Sequence, residues 1–171
     1  MQLDLVIAIL ALVVAVLSAY AARLHNRLSV RPYLHINRSF ADNRFRIYVR
    51  NSGTGPAIIR TVEATITNRT LDATITSWTD ELQAQCATLL ADKHIPPPPP
   101  GTASALVAST LERGDALAAN EEYALIRTDA RFDNPEAAAA LYAYLLKHFT
   151  FTITYSSIYA EKFRYSESQR T

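Results

Sequence analysis

The sequence predicts a mainly β fold: an N-terminal transmembrane helix, then an immunoglobulin-like β-sandwich with one or two inserted helices. Three observations point there. Residues 5–22, LVIAILALVVAVLSAYAA, run without a charge, a glycine or a proline; from residue 32 onward apolar residues mostly recur at every second position; and two later stretches switch to a helical period.

The apolar run comes first. At about 1.5 Å per residue it reaches roughly 27 Å, close to the hydrocarbon thickness of a bilayer. Hydrophobic side chains occupy every side of that helix, unlike the single stripe of a soluble core helix. Residues 5–23 are therefore read as the span, behind a four-residue tail (1–4), with residues 24–31 as a basic helical extension. Ala19-Tyr20-Ala21 matches the small-x-small rule of a signal-peptidase site. Against cleavage, the leading Met-Gln-Leu-Asp carries no Lys or Arg, and the run exceeds the usual cleavable core. A helix buried in a partner is the third reading. Arg23, Arg27 and Arg31 follow the span and only Asp4 precedes it, which predicts an outside N-terminus and a cytoplasmic C-terminal domain.

Pro32 ends the helical stretch, because the residue before a proline avoids the α region. The domain of residues 32–171 then reads strand by strand. In PYLHINRSF, Leu34, Ile36 and Phe40 face one way; in RFRIYVR, Phe45, Ile47 and Val49 alternate with Arg44, Arg46, Tyr48 and Arg50. Ala41-Asp42-Asn43 is turn chemistry, so the two form a hairpin. NSGTGP (51–56) turns the chain into a third strand, AIIRTVEATIT. TDELQAQCATLLADK predicts a helix near 79–92, capped by Thr79, with Leu82, Cys86, Leu89 and Leu90 on one face. Pro96 to Pro100 form a polyproline rod. ASALVAST and EEYALIRT read as strands separated by a turn at Gly114. Asn134 as cap and Pro135 at the first helical position open a helix near 135–147. FTFTITY alternates Phe149, Phe151, Ile153 and Tyr155 with threonines, and KFRYS returns beside it. A small barrel is the alternative to the sandwich.

The totals narrow the function. The chain has 17 basic and 16 acidic residues, and from Pro32 onward 14 and 15, a poor match to a polyanion; no nucleic-acid partner is expected. The lone Cys86 excludes an intrachain disulfide and a cysteine-cluster zinc site, and it reads as a small buried hydrophobe. His25, His35, His94 and His148 are scattered singly, so no metal or other cofactor is expected. Gly53 and Gly55 lack the helix and lysine of a phosphate loop; with Pro56 they read as a structural corner where positive φ is needed. No nucleophile elbow occurs, and no catalytic residue is assigned. The sequons at Asn37 and Asn68 would be silent in the cytoplasm.

Seven arginines fall between residues 23 and 50 against one acid, Asp42, whereas ten basic and fourteen acidic residues follow. This predicts a domain positive near the bilayer and negative away from it. Arg23, Arg27, Arg31, Arg44, Arg46 and Arg50 are the candidate contacts for lipid headgroups or an anion, each worth about 1 kcal/mol near an anionic surface.

RPYL opening the first strand, NSGTGPA at the corner and ITYSSIYAEKF near the end resemble a loose group of uncharacterised bacterial single-pass membrane proteins. Their corner reads N-x-G-x-G-P-A and their last turn Y-x-x-x-Y-G-x-x-F, with Ala160 here in place of the glycine. The resemblance implies an anchored sandwich in the bacterial inner membrane and names no catalytic residue.

The function expected is a membrane-anchored binding or adaptor protein without catalytic activity, whose partners are the lipid bilayer and a protein at the membrane. The alternatives are a membrane effector whose sandwich senses a small anionic ligand, and an exported domain facing the periplasm. The span lacks Gly-x-x-x-Gly, which disfavours an effector that self-associates through its helix.

Overall fold

The computed structural model describes residues 2–66, 69–75, 77–92, 106–128 and 135–167. A long helix, α1 (Gln2–Ser29), leads into β1 (Leu34–Ala41), β2 (Arg44–Asn51), β3 (Ala57–Ile66) and β4 (Arg69–Asp72). Helix α2 (Ser77–Asp92) precedes β5 (Leu106–Ala108), β6 (Ala116–Leu117) and β7 (Glu122–Thr128). Helix α3 (Pro135–His148) then leads to β8 (Phe149–Ser156) and β9 (Lys162–Ser166).

Helix α1 is exposed along its length and is long and apolar enough to cross a membrane, as a retained anchor or a signal sequence would be. It runs unbroken through Ala19-Tyr20-Ala21, and the chain straightens only as it approaches Pro32.

The remaining strands form two antiparallel sheets, β1-β2-β7-β5 and β4-β3-β8-β9, with β6 beside β4 on the same side of β3. Two separate sheets make this a sandwich and not a barrel. The β1–β2 hairpin closes in two residues, Asp42 and Asn43, both at positive φ (51° and 58°). That is the turn whose twist suits a two-residue hairpin, and Asp and Asn tolerate it best after glycine. NSGTGP then carries the chain from one sheet to the other.

Alternation fills the interior. Phe45, Ile47 and Val49 from one sheet meet Ile59, Val62, Phe149, Phe151 and Ile153 from the other, all almost fully buried. Strand β7 departs from simple alternation: Leu125 and Ile126 are both buried, and the pairing with β2 slips between Ile47 and Tyr48. This bulge gives β7 one extra residue and sends Arg127 outward beside Arg46.

Helices α2 and α3 touch one another and send Trp78, Leu82 and Cys86, and Leu141 and Leu145, into the core. Trp78 meets Phe151 edge-on with ring centroids 6.1 Å apart. Helix α2 begins at Ser77, so Thr79 lies inside its first turn and is not the cap. Helix α3 begins at Pro135 as expected, while Asn134 and the polyproline run fall outside the described residues. Phe40, placed inward by its period, is 39% exposed at the end of β1, where it stacks on Tyr142 at 5.0 Å. Strands β4 and β6 were not expected; each is too short for a periodic pattern to register.

The β8–β9 turn holds Ala160 at φ 60°. Ala160 N–H donates to Ser157 O at 3.0 Å and Ser157 N–H to Glu161 O at 2.9 Å, a three-residue loop ending in a left-handed residue. The turn therefore keeps the conformation that glycine favours although alanine occupies it. Ala160→Gly is expected to raise stability by about 0.5–1 kcal/mol, the cost of a left-handed alanine less glycine's extra unfolded-state entropy. Urea unfolding of the detergent-solubilised chain measures it; an unchanged or lower midpoint would show that the turn is not strained.

Candidate functional site

The three stretches that drew attention in the sequence meet at one place, the end of the sandwich where α1 enters. Its centre is Asn51, the last residue of β2, whose side chain is fully buried. Asn51 Oδ1 accepts from Tyr33 N–H at 3.1 Å and Gly53 N–H at 3.0 Å. Asn51 Nδ2 donates toward Gly55 O at 2.8 Å, Leu117 O at 3.0 Å and Ala118 O at 3.1 Å, its two hydrogens serving three carbonyls. The main chain of the same residue is used as well: Asn51 N–H donates to Glu121 O, and its carbonyl accepts from Asn120 N–H.

The corner grips the end of α1. Ser52 N–H donates to Tyr33 O at 2.8 Å and Thr54 N–H to Arg31 O at 3.2 Å, and the Thr54 hydroxyl donates to Ser29 O. The hydroxyl bond satisfies a carbonyl that the helix terminus leaves without a partner, and the other two hold the link between α1 and β1. Gly53 and Gly55 earn their place through this contact. Neither has positive φ, which corrects the expectation from sequence. A Cβ on Gly53 would collide with Arg31 O and Tyr33 N, and one on Gly55 with Val30 O. Pro56 leads directly into β3.

The second wall is the β8–β9 turn. Glu161 accepts from Arg27 Nη2 at 2.6 Å and lies 3.5 Å from Arg31 Nε, while the Arg31 guanidinium stands 5.7 Å from the Phe163 ring centre. The Tyr155 hydroxyl accepts from Leu34 N–H at 3.2 Å, and burial pushes its pKa up, keeping it protonated. Pro32, between the two walls, is itself buried.

The six arginines singled out in the sequence do not form one surface. Arg27 and Arg31 bind Glu161, and Arg23 is exposed on α1. Arg46 and Arg50 share Glu122 of β7, at 3.2 and 3.7 Å, and Arg46 also stands 4.5 Å from the centre of the Tyr48 ring. Arg44 pairs with Ala41 at the hairpin tip, seven residues and about 23 Å along β1 from Leu34. The charges are therefore mixed along the hairpin: Arg44 lies at the far tip, while Arg50, next to Asn51, stands with Glu121, Glu122 and Glu161 at the α1 end.

Arg38, counted in the sequence only as one more positive charge, is a tie at the opposite end. It donates to both Glu167 oxygens (3.0 and 2.7 Å), to Leu145 O (3.1 Å) and to Phe149 O (2.7 Å). It thereby caps the last turn of α3 and holds β1 against the end of β9. A cleft of about 580 Å³ lies beside it, lined by Ile36, Tyr142, Leu146, Lys147 and Thr150. Among the described residues no three His, Cys, Asp or Glu side chains converge on a possible metal site. Cys86 is buried, and desolvation pushes its thiol pKa up to about 12.

The chain belongs to a family described as a domain of unknown function, DUF8453, whose model matches residues 2–170. No curated protein and no solved structure matches it. Nearly the whole chain falls inside the match, so helix, junction and sandwich together make up the family unit.

Breaking the junction should detach α1 without dissolving the core. Gly55→Ala forces its new methyl group into Val30 O, and Asn51→Ala orphans two buried carbonyls, Gly55 O and Leu117 O, at about 1–3 kcal/mol each. Both variants are expected to speed tryptic cleavage after Arg27 while the near-ultraviolet signal of Trp78 persists. Cleavage at the wild-type rate would show that the corner does not hold the helix. Asn51→Asp sets a carboxylate against three carbonyls, raising its folded pKa above its unfolded one. Its stability deficit is expected to be smallest in acid and to grow as pH rises through the folded pKa.

Proposed function

We propose that this protein is a membrane-anchored binding or adaptor module that holds its sandwich at a fixed height and orientation against the bilayer and has no catalytic activity of its own. The observation that carries this reading is the junction. A helix of spanning length passes, within four residues, into a strand, and the last of those four, Tyr33, is bonded through its N–H to a buried asparagine. A merely tethered domain needs a linker and not a clamp.

The strand order supports an immunoglobulin-like reading of the sandwich. The order β1-β2-β7-β5 runs as strands A-B-E-D, and β4-β3-β8-β9 as C′-C-F-G. On that reading the B–C corner and the F–G turn, which in variable domains lie at the binding end, hold the chain's own helix. Helices α2 and α3 fall in the C′–D and E–F connections, leaving the far end and the outer faces for a partner.

Arg23, Arg27 and Arg31 behind the span support a cytoplasmic domain with the N-terminus outside, in a bacterial inner membrane. The full chain is expected to resist carbonate extraction and to keep Met1 or Gln2 at its N-terminus. A C-terminal fluorescent fusion should light up and a phosphatase fusion stay inactive. A mature chain beginning at Ala22 would overturn the anchor, and an active phosphatase would overturn the topology. Crosslinking in native membranes is expected to capture a heteromeric partner; homo-oligomers formed only with added nucleotide would favour a ligand-sensing effector.

A further inference from the structure

The β8–β9 turn carries two large apolar side chains at its apex, Ile158 (53% exposed) and Tyr159 (45% exposed). A turn built only to reverse the chain has no use for them, and polar residues are the usual choice. Their location gives them one. Strand β8 runs toward the α1 end, where Tyr155 meets Leu34 and Ser156 pairs with Ile58. Beyond that level the turn continues alongside α1, because Glu161 reaches not only Arg31 in the link but also Arg27, inside the last turn of α1. Leu24 and Leu28, 45% and 48% exposed, lie on the side of α1 that carries Arg27.

Arg27 lies five residues past Ala22, the end of the uncharged run, or about 7.5 Å along the axis. The polar layer of a bilayer leaflet is of similar depth, roughly 5–7 Å. A turn tied to Arg27 with its apex alongside the helix therefore meets the headgroup region, where an aromatic ring with a polar tip and a neighbouring aliphatic side chain are favoured.

We propose that Ile158 and Tyr159 form a second membrane contact, entering the lipid headgroup layer beside α1 so that the sandwich is held to the bilayer at two points. This rests on α1 being a membrane anchor, but holds whichever side the domain faces. Two points of attachment fix the tilt of the domain, which one helix would leave to its junction alone.

The test uses the full-length chain with an environment-sensitive dye on Ile158→Cys or Tyr159→Cys. The chain is reconstituted in phosphatidylcholine–phosphatidylglycerol vesicles, with nitroxide lipids labelled near the headgroup for the turn and deep in the acyl chain for the span. Val13→Cys in the span and Asp42→Cys at the hairpin tip serve as references. Cys86, buried and with its thiol held protonated, does not compete for label. Dyes at 158 and 159 are expected to shift their emission to the blue and lose intensity to the nitroxide, while the Asp42 dye does neither. If both turn dyes behave like the Asp42 dye while the Val13 dye is lipid-embedded, the second contact is overturned and the anchor stands. If the Val13 dye is also untouched by lipid quenchers, both readings fall. Turn dyes that ignore lipid but are shielded from iodide in native membranes would assign the turn to a protein partner and overturn the proposal.

Discussion

A single buried amide organises this molecule. Asn51 stands where one sheet hands over to the other, and all the hydrogen-bonding capacity of its side chain is spent on backbone groups from three different segments. Its bonds to Gly55 O and Leu117 O are buried, out of reach of water, so its geometry dictates theirs. Tyr33 must arrive in register, the corner must fold tightly around the amide, and the approach to β7 must present two carbonyls. The glycines are a consequence: only residues without a side chain let the corner come so close to the end of the helix. Junction, corner and sandwich are in this sense one construction.

The two ends of the sandwich are closed differently, and the charges follow that division. At the α1 end, backbone bonds and the Arg27–Arg31–Glu161 cluster lock helix to domain. At the other end α2 and α3 supply bulky side chains that fill the open mouth between the sheets, and Arg38 pins β1 to α3 and Glu167. Much of the basic character of residues 23–50 is thus spent internally, on carboxylates that arrive from residues 122, 161 and 167. The Glu122 pairs, open to solvent, contribute little stability, whereas the part-buried Arg38–Glu167 and Arg27–Glu161 pairs fix geometry. The outer face of β2 keeps Arg44, Arg46, Tyr48 and Arg50 in a row, but Glu122 partly neutralises it.

Much of the fold was legible because period-two alternation is a local signal. Phe45, Ile47 and Val49, or Phe149, Phe151 and Ile153, declare a half-buried strand whatever lies across from them. Asp42-Asn43 and Gly114 declared their turns, and Pro135 its helix start, for equally local reasons. The bulge in β7 was not legible: Leu125-Ile126 looks the same in sequence whether both residues are buried or one is exposed. The glycines at 53 and 55 were legible as a corner but not in their reason, since φ is a property of the corner itself and a steric approach depends on the residues it approaches.

By itself, then, the sequence determined a helix long and apolar enough to span a bilayer, a basic flank, and the strands with their inward faces, because each depends only on neighbours along the chain. Only the tertiary structure decided that the helix is clamped and not tethered, that Asn51 is the hub of the clamp, and that the arginines are shared out among distant acids. Those outcomes turn on contacts between residues such as Arg27 and Glu161 that are far apart in sequence, and no local pattern encodes which partner a charge or an amide will meet.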